Sequence, residues 1–166
     1  MDFSLKNHFS YQKNLDESYA SLASSQINWS NKNIDNNSGL LFDNEATLRV
    51  VSISNDYKDK ADTENLIFFP QISSKISFPM FRAINNSNET LTPVIMPIIA
   101  PYNNYTDHKS VTNSNLFSSN RASSITESES GPRINYGIEW FNSNANDFDI
   151  KIVAGQSLKF NKEKSD

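Results

Sequence analysis

The sequence predicts an all-β chain, an antiparallel up-and-down meander of about seven strands that forms part of a large transmembrane β-barrel. Three observations predict it. Apolar and polar residues alternate with a period of two along most of the chain, which sends successive side chains to opposite faces of a strand. No run of about 18 or more apolar residues occurs, so no transmembrane helix is encoded. Polar connections are short at one set of positions and longer at the other, as in outer-membrane barrels.

The first segment sets Phe3, Leu5, Phe9 and Tyr11 against Ser4, Lys6, His8, Ser10 and Gln12. Asn14 to Glu17 reads as a tight turn. From Tyr19 to Trp29, Tyr19, Ala23, Ile27 and Trp29 oppose Ser24, Gln26 and Asn28. Asn31 to Ser38 reads as a polar turn. The third segment opposes Leu40, Phe42, Ala46, Leu48 and Val50 to Asp43, Glu45, Thr47 and Arg49. A charged loop is expected over Asn55 to Asn65. The clearest alternation follows, with Ile72, Ile76, Phe78 and Met80 against Gln71, Ser73, Lys75 and Ser77. Asn85 to Asn88 reads as another turn.

Leu91 to Ala100 is apolar on both faces and contains Pro93 and Pro97. Proline has no N–H to give a ladder, so an irregular or locally unpaired strand is expected here. A long loop spans residues 101–132. After it, Ile134, Tyr136, Ile138 and Trp140 oppose Arg133, Asn135 and Glu139, and Phe148, Ile150, Ile152 and Ala154 oppose Asp149, Lys151 and Ser157. Aromatic residues near segment ends (Tyr11, Tyr19, Trp29, Phe68, Phe69, Phe81, Trp140 and Phe160) suit interfacial girdles.

Bulk properties restrict the function classes. Of 166 residues, 37% are hydrophobic and mean hydropathy is -0.57. That value is compatible with a barrel, in which only alternate residues face lipid. The net charge of -4 leaves no basic footprint for nucleic acid. With no cysteine, disulfides and thiolate metal sites within the chain are excluded. Met1-Asp2-Phe3-Ser4 carries no basic-then-apolar leader, which points to a cytosolic protein or an internal piece of an exported one.

No catalytic constellation is found, and no cofactor or metal is expected. His8 and His108 are far apart and lie outside any nucleophile motif. Asp56, Asp59, Asp62 and Glu64 have oxygen chemistry suited to calcium or magnesium. Lys58 and Lys60 are interleaved with them, which favours a solvated charged loop.

The most specific stretch is Asn115-Leu116-Phe117-Ser118-Ser119-Asn120-Arg121, followed by Glu129, Gly131 and Arg133-Ile134-Asn135-Tyr136-Gly137. It resembles the signature loop and following strand of LptD, the outer-membrane lipopolysaccharide-assembly family also called organic-solvent-tolerance proteins. Phe69-Pro70-Gln71-Ile72-Ser73, Ser77-Phe78-Pro79, Ala100-Pro101-Tyr102 and Gly155-Gln156-Ser157 are similar to further family stretches in the same order. The resemblance covers residues 65–160 best, and residues 1–64 match in style. Thr126-Glu127 stands where relatives often carry Asp-Arg, Ser130 replaces the first glycine of a pair, and Ala122 stands in place of an aromatic residue.

The resemblance implies a single partial domain over residues 1–166, a segment of a barrel in the cell outer membrane. It implies lipopolysaccharide and outer-membrane lipid as ligands. An LptE-like plug lipoprotein and periplasmic Lpt bridge components are the implied partners. Gln71, Ser73, Lys75, Asn135 and Glu139 would line the lumen. The loop would fold inward, with Leu116 and Phe117 as its apolar anchor. Arg121 and Arg133 would pair with carboxylates such as Glu129 or Glu139, because a buried guanidinium needs a partner, while contact with ligand phosphate is the competing role. Two other classes keep the alternation without the loop resemblance. One is a porin-like channel, and the other is a soluble or surface β-sandwich serving adhesion or glycan binding.

Overall fold

A computed structural model describes residues 1–13, 19–56, 63–84, 87–102, 111–122, 128–144 and 148–160. They form eight strand segments: β1 (Asp2–Lys13), β2 (Tyr19–Asp35), β3 (Leu40–Asp56), β4 (Thr63–Ser77), β5 (Met80–Ile84), β6 (Ser87–Ile99), β7 (Arg133–Asn144) and β8 (Phe148–Lys159). All pair antiparallel in one sheet of order β1-β2-β3-β4-β6-β7-β8, and β5 continues the path of β4 beside β6. The sheet is thus a meander of seven positions. It is not closed, since β1 and β8 lie at opposite ends of the order. β2 and β3 each run 17 residues, beyond the roughly 9–11 needed to cross a bilayer.

Register divides the two faces across the whole sheet. Phe3 faces Trp29, Trp29 faces Ala46, Ala46 faces Ile72 and Ile72 faces Ile99. Ile76, Ile95 and Tyr136 form a second row of that face, and Leu91, Trp140 and Ile152 a third. Among the described residues no second layer covers this apolar face, and Ile72 and Ile99 stay 60% and 68% exposed. In water such a face, with two free sheet edges, favours aggregation. A β-sandwich would bury it, so the sandwich expectation is set aside.

Several boundaries differ from the sequence reading. The polar stretch Asn31 to Ser38 is not a turn along its whole length. β2 continues through Asp35, still paired with β3, and the turn is Asn36–Gly39. Its polar side chains do not stop the backbone pairing, and Lys32 pairs with Asp43 at 3.4 Å. Gly39 closes the turn at φ +74, in the left-handed region that favours glycine. The charged loop is likewise shortened at both ends, because β3 reaches Asp56 and β4 begins at Thr63. β6 begins at Ser87, inside the stretch read as a turn. The expected turn at Asn14 to Glu17 lies outside the described residues, as do Asp59, Asp62 and His108.

The proline-bearing segment is a continuous strand, paired with β7 from Ser87↔Asn144 to Ile98↔Arg133. Its irregularity is confined to the opposite side, where the partner strand breaks at Phe78-Pro79 and rungs are missing. Phe69 is not part of an aromatic girdle. It is buried to 2% exposure on the polar face, and Phe81 also has that face's parity.

Candidate functional site: a loop clamped to the polar face

The polar face is not bare. Val94, Met96, Ile98 and Ala100 of β6 and its continuation are buried there, beneath the loop that follows β6. This explains why Leu91 to Ala100 is apolar on both sides: one side joins the open face and the other supports the loop.

Local bonding shapes the loop. Thr112 O accepts from Asn115 N at 3.2 Å and Leu116 N at 3.0 Å, and Asn115 Oδ1 accepts from Thr112 N at 2.8 Å. The resulting turn sends Leu116 down to 3% exposure. Leu116 lands on Gly155, where a Cβ would sit 2.8 Å from its Cδ2. Further on, Asn120 Oδ1 accepts from Ala122 N at 3.2 Å and Glu129 N at 3.1 Å, tying the two described parts of the loop together. At the base, Gly131 N donates to Pro101 O at 2.9 Å. Gly131 has φ +82, and a Cβ there would meet the Tyr102 ring at 2.9 Å. Both facts require glycine.

Glu129 is the centre of a buried ionic group. Arg121 grips it bidentately, with Nε donating to Oε2 at 2.8 Å and Nη2 donating to Oε1. Arg133 Nη2 lies 3.2 Å from Oε2, and Arg133 Nη1 donates to the Glu129 carbonyl at 3.3 Å. Arg133 is 1% exposed and Asn135 0%. Arg121 Nη2 also donates to Ser157 Oγ at 3.1 Å, and Ser157 Oγ donates to Asn135 Oδ1 at 2.6 Å. Burial raises the Glu129 carboxyl. The Arg121 hydrogen bond and the charges of Arg133, Arg121 and Lys159 outweigh it and hold the group below its ordinary value. Such charge-assisted, forked bonds are the strong kind.

Two strands on the other side of β6 reach the same loop. Gln71 Nε2 donates to Ser119 O at 2.6 Å, and Arg133 Nη2 donates to that same carbonyl. Arg49 Nη1 donates to Ser128 Oγ at 2.6 Å, while its Nε and Nη2 donate to Gln26 Oε1 at 2.9 and 2.6 Å. Lys75 pairs with Glu139 at 3.4 Å and lies 5.3 Å from the Phe117 ring centroid. A cleft of about 570 Å³ opens beside Phe117, walled by Lys75, Glu139, Lys151 and Val153.

Of the residues singled out in the sequence, Leu116, Asn120, Arg121, Glu129, Arg133 and Asn135 come together, with Gln71 against Ser119. Asn115 shapes the turn, and Gly131 closes the base. Glu139 takes Lys75 rather than an arginine. Ser73 is buried at 3% on the same face. Tyr136 does not join the group: it lies on the apolar face and donates to Gln156 Oε1 at 2.8 Å. Gly137 contributes by lying opposite Gly155 with no Cβ, which permits close approach of the two backbones. The sequence assigned no site role to Arg49, Ser119, Ser128 or Gly155, although Ser119 and Gly155 lie within the family-like stretches and Arg49 on the polar side of its strand. Arg49 carried a usable signal, a long cation on the polar side of an otherwise apolar-alternating strand.

The fold and the clamped loop define a membrane-type β-sheet that carries an ordered loop on its polar face. The family model described as LptD, LPS transport system D, matches residues 1–166. The chain belongs to that family of outer-membrane proteins for lipopolysaccharide transport and assembly. The match extends over residues 1–64, where the sequence reading found a resemblance only in style. A comparison with curated proteins and one with solved structures each found no match.

Proposed function

We propose that this sheet is part of a barrel wall in the outer membrane, and that it guides lipopolysaccharide to the outer leaflet without chemistry on the ligand. In this reading the polar face borders the lumen. Gln71, Ser73, Lys75, Asn135 and Glu139 then meet the sugar portion of the ligand or support the loop that does. The apolar face meets lipid. An LptE-like plug and the periplasmic Lpt bridge would be the partners of the assembled transporter. The observation that carries the reading is the sheet-wide division of faces by register, with the described loop residues 111–122 and 128–132 packed on the polar side. Hydration of a sugar chain suits a polar surface, while a continuous apolar band suits acyl chains.

Photo-crosslinking residues in the intact protein test it. Probes at Lys75 and Glu139 should capture lipopolysaccharide during transport. Probes at Ile76 and Ile138 should capture bulk lipid. Equal capture of lipopolysaccharide at all four positions would overturn the reading.

A further inference from the structure

The boundary between β4/β5 and β6 differs from the other ladders of the sheet. β4 meets β6 at Ile72↔Ile99, Ser73↔Ile98, Ile76↔Ile95 and Ser77↔Val94. β5 resumes at Met80↔Leu91. Continuing the same register, the missing rungs are Ser74↔Pro97, Lys75↔Met96, Phe78↔Pro93 and Pro79↔Thr92, so each gap contains one of the two β6 prolines. Phe78 N donates to Pro93 O at 3.2 Å, which fixes the side to which Pro93 directs its backbone groups. In an antiparallel strand the N–H and C=O of one residue point to the same neighbour. Pro93, and Pro97 four residues on, therefore turn their donorless nitrogens toward β4 and β5. Both losses fall on one boundary, and the β7 side keeps its full ladder.

Side chains cross this boundary where the backbone does not. Gln71 of β4 and Arg133 of β7 hold the same Ser119 carbonyl, so the loop is tied to the strands on both sides of β6. Lys75 of β4 reaches Glu139 of β7 over the same strand. Leu116 anchors the loop on β8, and Ser128 anchors it to Arg49 of β3. We propose that the β4/β5–β6 boundary is a compliant seam in the sheet, and that the loop segment 115–121 with Glu129 is the clamp that holds it closed. Releasing the clamp lets the sheet flex along the seam, and the prolines set how readily it does so. This rests on register and contacts alone, so it stands or falls separately from the transport reading.

Residue-resolved hydrogen exchange on the intact protein in bilayers tests it. The amides of Ile95 and Ile99 point toward β4, and those of Met96 and Ile98 toward β7. In Leu116→Ala and Glu129→Gln proteins, exchange at Ile95 and Ile99 should rise at least about tenfold while Met96 and Ile98 hold their rates, the pattern of local opening. Pro97→Thr restores a donor and should slow exchange at Ile99 and Ile95 in the otherwise native protein, a readout that does not require a clamp variant to fold. Equal acceleration of all four amides, or no change at Ile95 and Ile99 in any variant, would overturn the proposal.

Discussion

Gly137 of β7 and Gly155 of β8 face each other directly across the ladder, and Leu116 of the loop packs against the Cβ-less side of Gly155. A Cβ on Gly137 would lie 2.2 Å from the Ala154 carbonyl oxygen, and one on Gly155 would lie 2.2 Å from that of Tyr136. The obstruction is backbone, which cannot swing aside as a flexible side chain does. The pair therefore permits close approach of the β7 and β8 backbones, and Gly155 is the seat of Leu116 rather than a flexible point.

Gly155→Ala is expected to destabilise the sheet by about 1–3 kcal/mol or more, the range for overpacking a filled site. Leu116→Ala should cost about 2–5 kcal/mol of loop docking by emptying the notch. Thermal unfolding in detergent should register the first. Protease access to the loop should register the second while the strands remain protected. A Gly155→Ala protein as stable as the parent would show that the notch is not close-packed.

Glu129→Gln removes the carboxylate that both Arg121 and Arg133 reach. Breaking a buried ion pair by neutralising one partner costs about 3–5 kcal/mol, because the remaining charge stays buried. Replacing Arg121 and Glu129 together by apolar residues should be milder than Glu129→Gln alone. Loop protection from proteolysis measures both. If the double variant were the worse of the two, the cluster would owe little to its charges.

The Glu129 carboxyl lies below its ordinary value of 4.5 in the folded chain. A depressed carboxylate contributes stability that is present in full above the unfolded value and is lost as pH falls through the folded one. Loop order, followed by a spin label at Ser118, is therefore expected to be constant from neutral pH down to about 5 and to fall below the ordinary carboxylate range. Glu129→Gln should abolish that acid step. A loop that loosens between pH 6 and 7 would point to another group.

Deleting residues 115–121 should impair lipopolysaccharide assembly and sensitise cells to large hydrophobic antibiotics, because the segment both covers the polar face and ties strands together. Shortening the connection between β3 and β4 should have a smaller effect. Structureless loops longer than about 12–15 residues are usually functional or disordered, and this one has a built interior. Equal tolerance of both deletions, with normal surface lipopolysaccharide, would return the loop to a plain connection.

The sequence by itself determined the strands and their faces. Ile72, Ile76, Ile138 and Trp140 fall on one side and Gln71, Lys75, Asn135 and Glu139 on the other, because alternation is a local, period-two property of an extended chain. It also exposed the chemistry of the loop, since two arginines in a loop that folds inward need partners, and one glutamate lies between them in the sequence. Tertiary structure alone decided which charges meet. Arg121 and Arg133 share Glu129 while Glu139 takes Lys75, a choice set by loop path and register. The second apolar face of Leu91 to Ala100 was ambiguous for the same reason, as its cover comes from a segment later in the chain. Gly137 and Gly155 carry no local sign that they oppose each other. Only the β7–β8 register brings them together, and only the loop's turn delivers Leu116 to the gap. The extension of β2 through Asn31 to Asp35 was hidden because polar composition mimics a turn, whereas backbone pairing with β3 is indifferent to it.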